Sequence, residues 1–240
     1  MRALLSVANR DGLADFARNL AELKVELFAT PPTAAALADA GVKAKAAEAS
    51  PDKVADYDLV AANVSSFAPQ VGARSVPLDE AIGMIDVAGA ALVAAAARNY
   101  ATVGAACDPR QYTAITDELR ELGSLSADLR QRLAADALAD VAAYFAEVAG
   151  YLNHLGGTRF PNRLAVVVEK VRDLAYGENP QQHGALYRET MHRTGSLADA
   201  LQLQGNQPTF NDLLDLDAAY RIATDFTAPT CCIVKQANPT

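Results

Sequence analysis

The residues LAYGENPQQHGALYRE, Leu174 to Glu189, concentrate hydrogen-bonding chemistry in one short stretch. Tyr176-Gly177 and Asn179-Pro180 are turn dipeptides flanking a single acid, Glu178. Gln181, Gln182 and His183 follow. Amides orient a group by hydrogen bonds, and a histidine can also move a proton near neutral pH. A polar loop this dense is expected to meet a ligand or a partner. The cysteines carry less. Cys231 and Cys232 are adjacent, Cys107 is alone, and neither pattern fits a metal site or an easy disulfide. They read as reduced, buried thiols of a cytosolic protein. No metal and no cofactor is implied.

Such residues need elements to hold them. ALLSVA, Ala3 to Ala8, is an apolar run that leaves through the polar turn Asn9-Arg10-Asp11-Gly12, as a buried strand does. Leu13, Phe16, Ala17, Leu20 and Leu23 then recur at helical spacing. VELFAT gives a second strand, PPTAAALADAG a helix with Thr33 as its expected N-cap and Gly41 as its stop, and Tyr57 to Val64 a third strand. This β-α-β-α-β rhythm predicts an α/β fold with a parallel sheet and crossover helices. PLDEAIGMIDVAGAALVAAAARN reads as one or two helices, TVGAACD as a strand, and PRQYTAITDELREL as a helix with proline in its first turn. A long amphipathic helix capped by Ser126 follows, with Leu129, Leu133, Ala137, Val141 and Tyr144 on one face. Gly156-Gly157 and Pro161 punctuate the chain, dividing it into residues 1–158 and 159–240. In the second part RLAVVVEKV and TCCIVK read as strands and FNDLLDLDAAYRIATDF as a helix. With no element after TCCIVK to pack on it, this part reads as the beginning of a domain.

Composition bounds the function. The 240 residues are 51% hydrophobic, with 6% aromatics and no Trp, so much of the core must be built from alanine. A net charge of −8 without a basic stripe argues against nucleic-acid binding. A phosphorylated small molecule stays open, because a few arginines and backbone amides can dominate one pocket. The N-terminus turns polar too soon for a signal peptide, and AGAALVAAAA falls well short of the roughly 20 residues that span a bilayer. The expectation is a soluble, cytoplasmic protein without membrane contact.

Several stretches carry a family resemblance: LLSVANRDGLADFARNLAEL, IDVAGAALVAAAARN, LSADLRQRLAADALADVAAY, YGENPQQHGALYR, QLQGNQPTFNDLLDLDAAY and CCIVKQANP. Their content and order resemble the bifunctional purine-biosynthesis enzymes that are both AICAR formyltransferase and IMP cyclohydrolase, with this chain as a shortened and divergent member. The resemblance implies a methylglyoxal-synthase-like domain over residues 1–158. It also implies the start of a cytidine-deaminase-like formyltransferase domain over 159–240, and a homodimer.

The resemblance also implies site positions, and this sequence departs from most of them. Ser6 and Arg10 stand in the first turn, where the family has serine and lysine, and Ala8 replaces a second serine. Pro31-Pro32-Thr33 replaces a phosphate-binding Gly-Gly-Thr. Proline has no N–H, so two phosphate donors are lost, each typically worth about 1.5–3 kcal/mol. The family's Lys-Thr-Leu-His-Pro loop is absent. Asn63 is kept, and Ser65 replaces a tyrosine that lies near the reacting amide in the family. Asp86 is kept, either as a helix cap or to hold a ligand amide. Arg98 stands for a lysine. In the formyltransferase region Ala175 replaces an arginine, Asn179 is kept, Gln181 replaces a histidine, and the Lys-His pair becomes Lys235-Gln236. Asp86, Arg98, Asn63 and Lys235 are thus the catalytic candidates. Ser6, Arg10, Thr33 and Asn179 are the substrate-binding ones.

The pattern keeps scaffold residues and loses chemical ones. It predicts a non-catalytic binding or partner protein whose possible ligand is a purine ribonucleotide. The alternative is a weakly active IMP cyclohydrolase, since an intramolecular ring closure is partly driven by positioning.

Overall fold

The computed structural model describes residues 1–67, 70–71, 76–189 and 195–239. The chain divides into two compact units, Met1–Leu164 and Ala165–Thr240.

In the first unit the strands β1 (Arg2–Ser6), β2 (Glu26–Ala29), β3 (Lys45–Ala46), β4 (Leu59–Ala62) and β5 (Gly104–Ala106) form one sheet, in the order β3-β2-β1-β4-β5. Every pairing is parallel. Parallel strands need crossover elements, and helices on both faces force the strands to be apolar throughout. The central strand obeys this: Ala3, Leu4 and Leu5 are all fully buried. Its side chains alternate between two cores. Ala3, Leu5 and Val7 join Phe16 and Leu20 of α1 (Leu13–Glu22), Leu37 of α2 (Pro31–Asp39), and Ile115 and Leu119 of α5 (Tyr112–Leu122). Leu4 points the other way, toward Leu92, Val93 and Ala96 of α4 (Val87–Arg98) and Ala134 and Ala137 of α6 (Ala127–Leu155). A third cluster joins Phe67, Ala81 of α3 (Leu78–Gly83), Ala90, Tyr144 and Val148. The parallel α/β fold expected from the sequence is therefore present.

Local chemistry explains the boundaries. Ser126 caps α6 by accepting from Leu129 N at 3.1 Å, as its position predicts. The stretch before α5 begins as a 3₁₀ turn, Pro109–Gln111, with Asp108 as its cap. Leu78–Arg98 is long and apolar enough to cross a membrane by length and composition alone. It folds instead as α3 and α4, broken at Met84–Asp86, with Ala90, Leu92, Val93, Ala96 and Ala97 in the core. Two details differ from the sequence reading. Thr33 is not the cap of α2. That place belongs to Thr30, and Pro31 and Pro32 fill the first two helical positions, where a missing N–H costs no intrahelical bond. The short edge strand β3 was unforeseen.

The second unit holds the antiparallel pair β6 (Val168–Leu174) and β7 (Gly184–Glu189), the helix α7 (Phe210–Thr224), and a small hairpin of β8 (Val234–Lys235) and β9 (Asn238–Pro239). β7 forms where the residue types suggest a polar loop, and TCCIVK keeps only its last two residues as strand. α7 is closed at its start by a reciprocal Thr209–Asp212 capping box, but buries none of its residues.

The thiols differ in environment. Cys107 is buried, Cys231 exposed and Cys232 half-buried, which corrects the expectation of three buried thiols. Burial, helped by the nearby carboxylates of Asp140, Asp136 and Asp108, pushes the Cys107 thiol up to about 12. A thiol-selective reagent at pH 8 is therefore expected to label Cys231 first and Cys232 more slowly. Cys107 should react only in denaturant. Labelling of Cys107 in the folded protein, read by mass spectrometry, would refute this assignment.

Candidate functional site

Strand order in the first unit reverses beside β1: the chain steps outward to β2 and β3, then returns to β4 on the other side. Open parallel sheets bind ligands outside the carboxyl ends of the strands at such a switch point. A cleft of about 360 Å³ lies there, lined after β1 by Ser6, Val7, Ala8 and Arg10, and after β4 by Asn63 and Ser65. The starts of α2 and α4 supply Thr30, Pro32 and Thr33 on one side and Asp86, Ala88, Gly89 and Leu92 on the other.

Hydrogen bonds fix these walls to each other. The Asn63 Oδ1 accepts from Ala8 N at 2.7 Å and Asn9 N at 3.0 Å, and its Nδ2 donates to Asn9 O at 3.3 Å. Its side chain thus clasps the β1 turn from the end of β4. Thr33, 1% exposed, accepts from Val7 N at 3.1 Å and ties α2 to the end of β1. The Thr30 hydroxyl lies within reach of Ser6 Oγ at 3.4 Å and Thr33 Oγ1 at 3.2 Å. Asp86 caps α4: its Oδ1 accepts from Gly89 N at 2.7 Å, and its Oδ2 accepts from Ser65 N at 3.1 Å. Arg10 reaches across the cleft, with Nη2 donating to Pro32 O at 3.3 Å, and pairs with no carboxylate among the described residues.

Five sequence-predicted residues therefore meet at one cleft: Ser6, Arg10, Thr33, Asn63 and Asp86. Arg98 does not join them. It ends α4, about 18 Å along the helix from Asp86. Asn179 and Lys235 belong to the second unit. There the Tyr176–Gln182 loop closes on itself through Gly177 N to Gln182 O at 2.8 Å and Asn179 N to Gln182 Oε1 at 2.9 Å. Asn211 and Asp215, one turn apart on α7, tie down both segments. Asn211 Nδ2 donates to Glu178 O at 3.2 Å, and Asp215 Oδ1 accepts from Ala237 N at 2.6 Å, beside Lys235. Gln236 and Ala237 both have positive φ, 53° and 57°. The Asp215 bond helps hold that tight turn. Sequence reasoning missed Thr30, although a threonine directly before proline is a helix-start signal.

Chemically the cleft offers one cation, one carboxylate, hydroxyls and an apolar patch of Val7, Ala49 and Leu92. Among the described residues no histidine, lysine or cysteine lines it. This is a polar cleft at the topological switch point of a parallel α/β sheet, the place where such sheets bind ligands. The parallel α/β class is also that of the family the comparisons with known proteins find. The AICARFT/IMPCHase bienzyme family model matches residues 96–240. The bifunctional purine biosynthesis protein PurH of Listeria monocytogenes (serotype 4b, strain CLIP80459) is 33% identical over 99% of this chain and 54% of its own length. That of Sorangium cellulosum is 36% identical over the same shares. A solved structure titled "Crystal structure of ForH" is similar over 63% of this chain and 98% of its own, with a TM-score of 0.51 at 25% identity.

The chain belongs to the AICARFT/IMPCHase family of purine biosynthesis proteins. It spans about half the length of the curated relatives it matches. The Listeria alignment runs over 274 positions against 240 residues here, so within the matched region that relative carries segments this chain lacks.

Gly89 permits the close approach of Asp86 to the start of α4. A Cβ at position 89 would lie 2.8 Å from Asp86 Cγ and closer still to Oδ2. Helix propensity alone makes Gly→Ala stabilising by up to about 1 kcal/mol. Here the lost cap decides the sign, and Gly89→Ala is expected to destabilise the protein by about 1–2 kcal/mol. Thermal unfolding checks this: an unchanged or raised Tm contradicts the assignment.

Proposed function

We propose that this chain is a non-catalytic member of its family whose cleft holds a phosphorylated purine ribonucleotide without converting it. One observation carries the reading. Asp86, the one carboxylate lining the cleft among the described residues, has each oxygen engaged by a backbone N–H, from Gly89 and from Ser65. Each oxygen keeps a second acceptor site, but the two N–H bonds hold the carboxylate to the walls, and a general base must be aimed at the proton it takes. Asn63 is likewise committed to the β1 turn and Thr33 to Val7. These groups hold the walls in place. What remains for a ligand is the Arg10 guanidinium, which suits a phosphate, and the Ser6 and Thr30 hydroxyls, beside an apolar patch that suits a base. The prolines at the start of α2 remove the backbone donors of the family's phosphate turn, so Arg10 must carry most of the anion binding. The second unit retains the Asn179 loop and the Lys235 hairpin as structure. Gln181 and Gln236 stand in place of the family's histidines, and neither glutamine can carry the proton for formyl transfer.

The test is ligand-dependent melting. IMP at millimolar concentration is expected to raise Tm by roughly 3–6 °C, inosine to give little or no shift, and Arg10→Ala to lose most of the IMP effect. No response of the wild type to IMP, or an undiminished response of Arg10→Ala, overturns the reading.

A further inference from the structure

Tyr144 lies in the middle of the 29-residue helix α6 and is 6% exposed. Its position on the apolar face gives it a packing role, among Phe67, Ala81, Ala90 and Val148. Its hydroxyl does something packing does not require: Tyr144 Oη accepts a hydrogen bond from the backbone N–H of Asp86 at 2.6 Å. Asp86 is the residue whose carboxylate joins two cleft walls, Ser65 beyond β4 and Gly89 at the start of α4. The hydroxyl thus fixes the backbone of a residue that fixes both walls. α6 spans all three hydrophobic clusters, with Leu129 and Leu133 in the first, Ala134 and Ala137 in the second, and Tyr144 and Val148 in the third. The anchor therefore sits on a well-supported element. A phenylalanine would fill the same space and leave the Asp86 N–H without this acceptor.

We infer that Tyr144 is a positioning residue for the cleft, acting through Asp86 to set the distance between the segment after β4 and the start of α4. The relevance to ligand binding rests on the functional reading above; the anchoring of the walls does not.

The experiment compares wild type, Tyr144→Phe and Tyr151→Phe. Tyr151 is the control: it lies on the same helix, packs its ring edge-on against Phe67 at 5.3 Å, and makes no hydroxyl hydrogen bond among the described residues. Two readouts are taken, amide hydrogen exchange at Ser65 and Asp86, and IMP affinity by calorimetry. Tyr144→Phe is expected to speed exchange at both amides and to weaken IMP binding, each by roughly 5- to 10-fold. Tyr151→Phe should change neither. Equal exchange in the two variants overturns the inference, as does faster exchange with unchanged affinity, which would make the hydroxyl a purely structural contact. A wild type that does not bind IMP removes the functional reading, and the exchange comparison alone then decides whether Tyr144 anchors the cleft walls.

Discussion

The parallel pairing of β1 between β2 and β4 is the constraint on which the rest depends. Leu5 stands opposite Ala29 and Ser6 opposite Ala62, so three strands end at one level and release their chains toward one point. The pairing is held by burial on both faces: Leu4 on one side and Ala3 and Leu5 on the other reach separate cores. Moving β1 by one residue would exchange those faces and send each apolar side chain into the wrong cluster. The cleft follows from the pairing without further folding. Its walls are the turns that parallel strands need before their crossover helices, and its polar groups are the first residues of those turns.

Given that frame, the polar side chains of the cleft divide by what they touch. Asn63, Thr33 and Asp86 satisfy backbone donors of the walls themselves. Arg10, Ser6 and Thr30 also line the cleft, and their side-chain bonds run from Arg10 to Pro32 O and from Thr30 to the Ser6 and Thr33 hydroxyls, with no wall N–H among them. In a sequence all six look alike, as polar residues in strand-end turns or at helix starts. Their hydrogen-bond partners separate scaffold from contact surface. The division favours binding over turnover, because holding an anion needs a cation and donors, whereas ring closure also needs a group free to move a proton.

Much of the first unit was legible in the residues. Helical periodicity placed α1 and α6, Pro109 marked the helical stretch that leads into α5, and Ser126 marked a helix start by the type of residue that can cap. The uninterrupted apolar runs around Leu4 and Val60 marked buried strands. What escaped has physical reasons. β3 is two residues paired to the edge strand β2, too short for any pattern. β7 alternates only weakly, and its partner gives no local sign of the pairing. Thr30 and Thr33 compete for one cap, and the choice turns on where Pro31 and Pro32 fit. The Asp86–Tyr144 bond joins residues 58 apart in sequence, and no periodicity announces it. The site was legible as a set of residues but not as a set of jobs: Arg98 looked equivalent to Asp86 until α4 put them at opposite ends.

Following formylated AICAR in the presence of the purified protein distinguishes a cleft that only holds a nucleotide from one that converts it. IMP formation is monitored over hours against a protein-free control. The two rates are expected to coincide, although the protein binds the nucleotide. A protein-dependent rate that saturates with substrate and disappears on replacing Asp86 by alanine would contradict it.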